Sequence, residues 1–309
     1  MAVHFLNLPP EILLQILSKL SIRPLLRFAQ TSQYARKLAY TDLQALSLAV
    51  CPSHQDSWHN KLFAARRKPE HDLHACVQIP RACDFSYTTL LTFHNKIISS
   101  ILDRHAQTLQ KLELALWTLS VSVAESIKTL SALRELSIRI ESVHTVPRTY
   151  LCVQKREECK AWTVLASNAD SIHALRIENA EINSSQLLDI VGGAAQLRDL
   201  SLSGCSMLTS SIWDATRLTK LHKFSILCCP NIHVADTAVQ TISKMHRLQV
   251  LNLHGCSGLD GEVLEQWNRD VWRVPVFVAP NPRGTTKENL VIEVDPDYME
   301  DEEYPLHEV

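Results

Sequence analysis

Glycine is scarce in this chain: 7 among 309 residues, about a third of what average usage of ~7% would give. That scarcity speaks against phosphate-cradling loops, and none of the G-x-x-x-x-G-K-[ST], G-x-G-x-x-G, G-x-S-x-G or H-E-x-x-H patterns occurs. A net charge of −2 leaves no general positive field to hold a nucleic acid. No apolar run approaches about 18 residues, so no membrane span is expected. The N-terminus lacks the charged start, apolar run and small-residue cleavage site of a secretion signal.

Paired metal ligands are missing too. The nine cysteines are an odd number, and none has the C-x-x-C spacing of a zinc site. Cys51, His54 and His59 are close in sequence, as are Cys76 with Cys83 and Cys152 with Cys159, without forming such a set. In the absence of a secretion signal these cysteines read as reduced intracellular thiols. The Asn183-Ser184-Ser185 sequon is then silent. The 14 histidines are scattered and lack an obvious nucleophile partner. No metal, cofactor or catalytic residue is expected.

What is present begins at Leu8. Ile12, Leu13, Ile16, Leu17 and Leu20 recur at helical spacing and make one apolar stripe. Asn7 can cap this helix, and Pro9 and Pro10 suit its first turn, where no N–H partner is needed. A second short helix is expected around 24–29. A third follows over 34–39, with Thr31 or Ser32 as cap. Three helices in about 40 residues cannot bury that many leucines and isoleucines among themselves. The surplus asks for a partner, in this chain or in another protein.

The stretch 4–45 resembles an F-box. The likeness rests on Leu8-Pro9-x-Glu11-Ile12-x-x-x-Ile16-Leu17-x-x-Leu20, then Leu25-Leu26, then a basic third helix ending in Leu38-Ala39. Gln30-Thr31 stands where the family usually has Val-Cys, and Tyr34 where it has Trp. The resemblance implies docking onto the Skp adaptor of a Skp–cullin–F-box ubiquitin ligase. Leu8, Pro9, Ile12, Ile16, Leu17, Leu20, Leu25 and Leu26 would be the contact set. The other reading is an ordinary helical cap on a larger domain.

Beyond residue 43 one pattern returns, Leu-x-x-Leu-x-Leu-x-x-Cys or Asn. The clearest copies run Leu197 to Cys205, Leu221 to Cys229 and Leu248 to Cys256. Earlier copies start at Leu43, Leu109, Leu133 and Ile172, and degenerate ones hold Val77-x-Ile79 and Val276-x-Val278. The second apolar positions are 46, 77, 112, 136, 175, 200, 224, 251 and 276, and most steps fall within a 20–29 residue repeat period. Each unit predicts a short parallel strand with alternate residues inward, then a turn, then an outer helix. Cys205, Cys229 and Cys256 sit where the chain leaves the strand, where a small apolar side chain with a weak S–H donor fills space. Asp236 is expected to cap the helix of Ala238, Val239, Ile242 and Met245. Ser184 or Ser185 is expected to cap that of Leu187, Leu188, Ile190 and Val191, with Gly192-Gly193 as its stop.

These units resemble cysteine-containing leucine-rich repeats. The implied fold class is α/β: a three-helix F-box over 4–45, then a leucine-rich-repeat solenoid over 43–284 with parallel strands on the concave side and helices outside. An insertion near 142–161, with the charged run Lys155-Arg156-Glu157-Glu158, reads as a loop on the binding face or as a tolerated surface loop. Residues 285–309 read as a capping strand around Leu290, Ile292 and Val294 followed by an acidic, solvated tail.

On this reading the residues between the inward leucines form the concave wall. Arg139, Arg176, Glu178, Ser201, Ser203, Lys223, Asn252 and His254 are the candidate target contacts, chosen on family grounds. Arg139 and Arg176 fall on adjacent strands and can meet one carboxylate or phosphate. Alternatively they pair with Glu113, Glu135 or Glu178. The resemblances together imply a non-catalytic adaptor that joins the Skp protein, and through it a cullin core, to a protein target. No nucleic acid or membrane partner is expected, and the place of work is cytoplasmic, nuclear or both. The alternative is a repeat scaffold outside a ubiquitin ligase.

Overall fold

Leu13 and Leu17, one helical turn apart, point into the centre of three short helices: α1 (Pro10–Leu17), α2 (Ile22–Thr31) and α3 (Gln33–Thr41). The computed structural model describes residues 8–17, 22–41, 43–52, 74–79, 84–141, 148–167, 169–214 and 216–280. Leu25, Ala29, Leu38, Ala39 and Leu43 complete this small core, with Leu8 and Phe28 against its edge. Ser32 caps α3, its hydroxyl accepting from the Ala35 amide at 3.0 Å, while the Thr31 hydroxyl donates to the Phe28 carbonyl at 2.7 Å. The expected single stripe on α1 is two stripes. Leu13 and Leu17 are buried, whereas Ile12 and Ile16, one position back on the helix, remain 42% and 36% exposed. Asn7 and Leu20 lie outside the described residues.

After Leu43 the chain enters a parallel sheet. Its strands are β1 (Ala45–Pro52), β2 (His74–Ile79), β3 (Lys111–Leu116), β4 (Glu135–Ile140), β5 (Ala174–Glu178), β6 (Asp199–Ser203), β7 (Lys223–Leu227), β9 (Val250–Asn252) and β11 (Val276–Val278). The spatial order is β11-β9-β7-β6-β5-β4-β3-β1-β2. A separate parallel pair joins β8 (His233–Val234) to β10 (Ser257–Gly258). From β3 to β11 each strand of the large sheet lies beside the next one in sequence. Leu46, Leu112, Leu136, Leu175, Leu200, Phe224, Leu251 and Phe277 form one row across it. Leu48, Leu114, Ile138, Ile177, Leu202 and Ile226 form the next row on the same face.

Two degenerate strands depart from the expected phase. β2 is not between β1 and β3 but outside β1, at the edge of the sheet, with Val77 opposite Val50. At the other edge Phe277, not Val276, stands opposite Leu251. Because side chains alternate faces along a strand, this one-residue difference turns Val276 outward, and it is 52% exposed.

The helices cover the leucine face. These are α4 (Tyr87–Arg104), α5 (Val121–Lys128), α6 (Arg148–Ala166), α7 (Ser184–Gly193), α8 (Asp236–Ser243) and α9 (Gly261–Trp267). Two 3-10 turns, Ser210–Asp214 and Thr216–Lys220, take the helix's place between β6 and β7. Ile98, Leu102, Val123, Ile127, Trp162, Leu187, Ile190, Val239, Ile242 and Leu264 reach from these elements into one continuous core with the strand rows. Each such side chain contributes about 1.5–3 kcal/mol of burial.

The segment expected as an insertion near 142–161 is mostly α6, which packs between α5 and α7. Its inner face is buried where the sequence looked charged: Ala161 and Trp162 are fully buried, and Glu158 beside them is 4% exposed. Residues 142–147 lie outside the described residues. Two caps also differ from expectation. Asn183, not Ser184 or Ser185, caps α7: its side chain accepts from the Gln186 amide at 2.9 Å, and the Gln186 side chain accepts in return from the Asn183 amide at 3.1 Å. Asp236 is the first residue of α8, after Ala235, whose side chain provides no capping bond. There the Asp236 charge favours the helix N-terminus.

Candidate functional site

Two surfaces carry functional interest. The first is the outer face of α1. Ile12 and Ile16 are exposed there, Pro9 precedes them, and Tyr34 on α3 is 44% exposed. The remaining residues of the expected contact set divide. Leu17 and Leu25 belong to the helices' own core, Leu8 packs against its edge, and Leu20 and the Leu26 side chain lie outside the described residues. The surplus apolar surface inferred from sequence is thus smaller than expected, because Leu13, Leu17 and Leu25 satisfy one another.

The second is the sheet face turned away from the helices. One row runs Ala45, Lys111, Glu135, Ala174, Asp199, Lys223 and Val250. The next outward row runs Ser47, Glu113, Ser137, Arg176, Ser201, Ser225 and Asn252. A groove of about 330 Å³ crosses these two rows from β3 to β7. Lys111 holds Glu135 at 2.8 Å and Lys223 holds Asp199 at 3.1 Å, both between neighbouring strands.

Arg139 and Arg176 do not converge on one point. Arg176 binds Glu178 of its own strand at 2.6 Å, and Arg139 binds Glu141, just past the end of its strand, at 2.7 Å. Ser201 lies beside Arg176, and Ser203 beside Glu178. His254 sits in the turn after β9, its amide donating to the Asn252 side chain at 3.0 Å.

The turns at the ends of these strands follow a rule that the leucine pattern did not display. Asn179, Gly204, Cys228 and Gly255 all have positive φ, at 53°, 63°, 49° and 73°. Each donates its amide to the next unit: Asn179 to the Ser203 carbonyl, Gly204 to Leu227, Cys228 to His254 and Gly255 to Pro280. The residue that follows each is Ala180, Cys205, Cys229 or Cys256, and all four are buried. The Cys229 thiol donates to the Leu227 carbonyl and the Cys256 thiol to the Ile226 carbonyl, both at 3.5 Å. Burial pushes the Cys256 thiol up to about 12, so it remains protonated and unreactive.

Two buried polar residues escaped sequence reading. His94 stacks on Trp117 with centroids 4.9 Å apart, and burial lowers it to about 4. Trp117 donates its indole N–H to the Val50 carbonyl at 2.8 Å, which ties β3 to β1. Glu158 accepts from the Trp162 indole and the Glu181 amide, both at 3.4 Å, and from the Thr118 hydroxyl at 3.5 Å. Burial raises its carboxyl above the ordinary value. Among the described residues no group of three or more His, Cys, Asp or Glu is placed to hold a metal ion, and no helix is long and apolar enough to cross a membrane.

Residues 5–45 match the F-box-like family model. That span covers α1 to α3 and the Ile12–Ile16 face. No curated protein matches the chain.

Proposed function

We propose that this chain is the target-recognition adaptor of a Skp–cullin–F-box ubiquitin ligase. The observation that carries the reading is the F-box-like match over three helices whose own core is closed, while Ile12 and Ile16 remain outside it on one face of α1. Two β-branched residues one turn apart on a short helix suit a groove on a partner. The Skp adaptor is that partner in this family, and F-box chains of this kind position targets without catalysing transfer.

The sheet supports the second half of the reading. From β3 to β11 the strands follow one another in space as in sequence, and the described helices cover the leucine face, which suits a stacked repeat. A doubly wound sheet would carry helices on both faces. We read 43–284 as a leucine-rich-repeat array and 4–45 as the docking domain; the capping strand and acidic tail expected over 285–309 lie outside the described residues. The open polar face is the target surface, and α3 leads into β1 closely enough to hold a target at a set distance from the ligase. Work in the cytoplasm, the nucleus or both follows from the ligase role.

The test is capture on purified Skp adaptor. Wild type is expected to bind at micromolar concentration, and Ile16→Asp to lose binding while circular dichroism stays unchanged. Absence of wild-type binding overturns the ligase reading and leaves a repeat scaffold.

A further inference from the structure

The first row of the open face has a charge order that specifies an occupant. From β3 to β7 it reads Lys111, Glu135, Ala174, Asp199, Lys223: basic, acidic, small, acidic, basic. Each lysine sits on the outer side of its carboxylate, at 2.8 and 3.1 Å. Between the two carboxylates the row carries only the Ala174 methyl, the smallest side chain of this row in the groove, and this position serves as the notch. Arg176, the nearest cation along that strand, is turned to Glu178 at 2.6 Å.

Distances complete the match. Neighbouring strands stand about 4.8 Å apart, so Glu135 and Asp199 flank a gap of about 9.6 Å between their backbones. A single cation with a charge-assisted hydrogen bond of about 2.8 Å on either side spans about 5.6 Å between carboxylate oxygens, a separation the two side chains reach by leaning toward Ala174. Lys111 and Lys223 then lie about 9.6 Å to either side of Ala174. A polyproline II segment has three residues per turn and rises about 3.1 Å per residue, so it returns the same side about every 9.3 Å. A β-strand would turn residues i and i+3 to opposite sides.

We propose that the groove binds a protein segment in polyproline II conformation. Its arginine or lysine enters the notch over Ala174 between Glu135 and Asp199, and acidic residues three positions before and after it meet Lys111 and Lys223. This deepens the target-adaptor reading and rests on its assignment of the open face. The target class is a mixed-charge segment, acidic-x-x-basic-x-x-acidic, rather than a uniformly charged or phosphorylated one.

Fluorescence anisotropy with labelled heptapeptides and the full chain tests this. The probe is Glu-Pro-Pro-Arg-Pro-Pro-Glu. The controls are its mirror, Arg-Pro-Pro-Glu-Pro-Pro-Arg, and a same-composition peptide with the charges placed together. The probe is expected to bind at least tenfold tighter than either control. Ala174→Arg, which fills the notch from within, is expected to weaken it at least tenfold. Lys111→Glu combined with Lys223→Glu should reverse the preference between probe and mirror, with circular dichroism unchanged in each variant. Equal binding of the three peptides, no binding, or an unaffected Ala174→Arg chain overturns the proposal. Ile16→Asp is expected to bind the probe as wild type does. A chain that binds the probe but not the Skp adaptor overturns the ligase reading alone, and the converse overturns the notch alone.

Discussion

Trp162 donates its indole N–H to Glu158, one turn earlier on α6, at 3.4 Å, and both side chains are buried. The same carboxylate accepts from Thr118 in the turn after β3 and from the Glu181 amide after β5. Thus a residue from the most charged stretch of the chain links α6 to two strand–helix turns. All three donors point at the carboxylate, which satisfies the hydrogen-bonding needs of a buried acid.

Stability should therefore fall as pH rises through the titration of Glu158. Burial raises the folded-state value above the ordinary 4.5. Below 4.5 the group is protonated in both states and imposes no electrostatic penalty. Above it the unfolded chain ionises first, so the native state loses ground until its own carboxyl has titrated. Glu158→Gln retains an oxygen for Trp162 and Glu181 and removes the charge. It should match or exceed wild type at neutral pH, and the advantage should vanish near pH 4 in urea titrations. An advantage that grows on acidification would contradict the assignment.

His94 has the opposite sign. Its folded value is lowered from 6.5 to about 4, so the unfolded chain takes up a proton first as pH falls. Stability present above 6.5 is lost between there and about 4, by up to about 3 kcal/mol. His94→Phe should flatten that acid limb, because a ring is retained against Trp117. Trp117→Phe removes the hydrogen bond to the Val50 carbonyl, leaves a buried acceptor, and should cost about 1–3 kcal/mol at all pH values. Thermal melts at pH 5 and pH 7.5 separate the two effects.

On α1, neighbouring positions should behave differently. Leu17 is 1% exposed in the three-helix core, and Leu17→Ala should cost about 2–5 kcal/mol there. Ile16→Ala is expected to stay within about 0.5 kcal/mol of wild type, as for a surface position. Hydrogen exchange of the α1–α3 amides reads both. An Ile16→Ala chain whose α1 amides exchange as fast as those of Leu17→Ala would show that the outward face is an illusion of the free chain.

The different fates of Ile16 and Leu17 show where sequence reading reaches its limit. Helical spacing identified the apolar residues of α1, but adjacent positions on a helix differ by about 100°, and only the packing of α2 and α3 decides which stripe turns inward. In the sheet, repeated leucines placed seven strands in register because each had a buried face to satisfy. The two weakest copies failed at the edges. There β2 has one neighbour instead of two, and Val276 and Phe277 are equally apolar, so pattern alone cannot choose a register. The run around Lys155 looked like a loop because its charge hid Ala161, Trp162 and Leu165, which recur on one side of α6. The notch over Ala174 was invisible for another reason: it exists only between three strands far apart in sequence.

The left-handed turns provide the last prediction. Cys228 has φ 49° at the position where the neighbouring units have Gly204 at 63° and Gly255 at 73°. A residue with a Cβ is strained in that conformation by about 1–2 kcal/mol, and glycine is not. The Cys228 side chain is exposed, so its removal forfeits little packing. Cys228→Gly should therefore stabilise the chain by about 1 kcal/mol, less the extra freedom that glycine gives the unfolded state. Gly255→Ala should do the reverse, since its new Cβ would stand 2.9 Å from the Cys228 sulfur as well as holding a positive φ. Combined with Cys228→Gly the sulfur contact is gone, leaving the φ strain and the 3.3 Å approach to the backbone N and Cα of residue 228, so the double variant should recover part of the Gly255→Ala loss. Strict additivity of the two changes in urea denaturation would show that the turns do not touch.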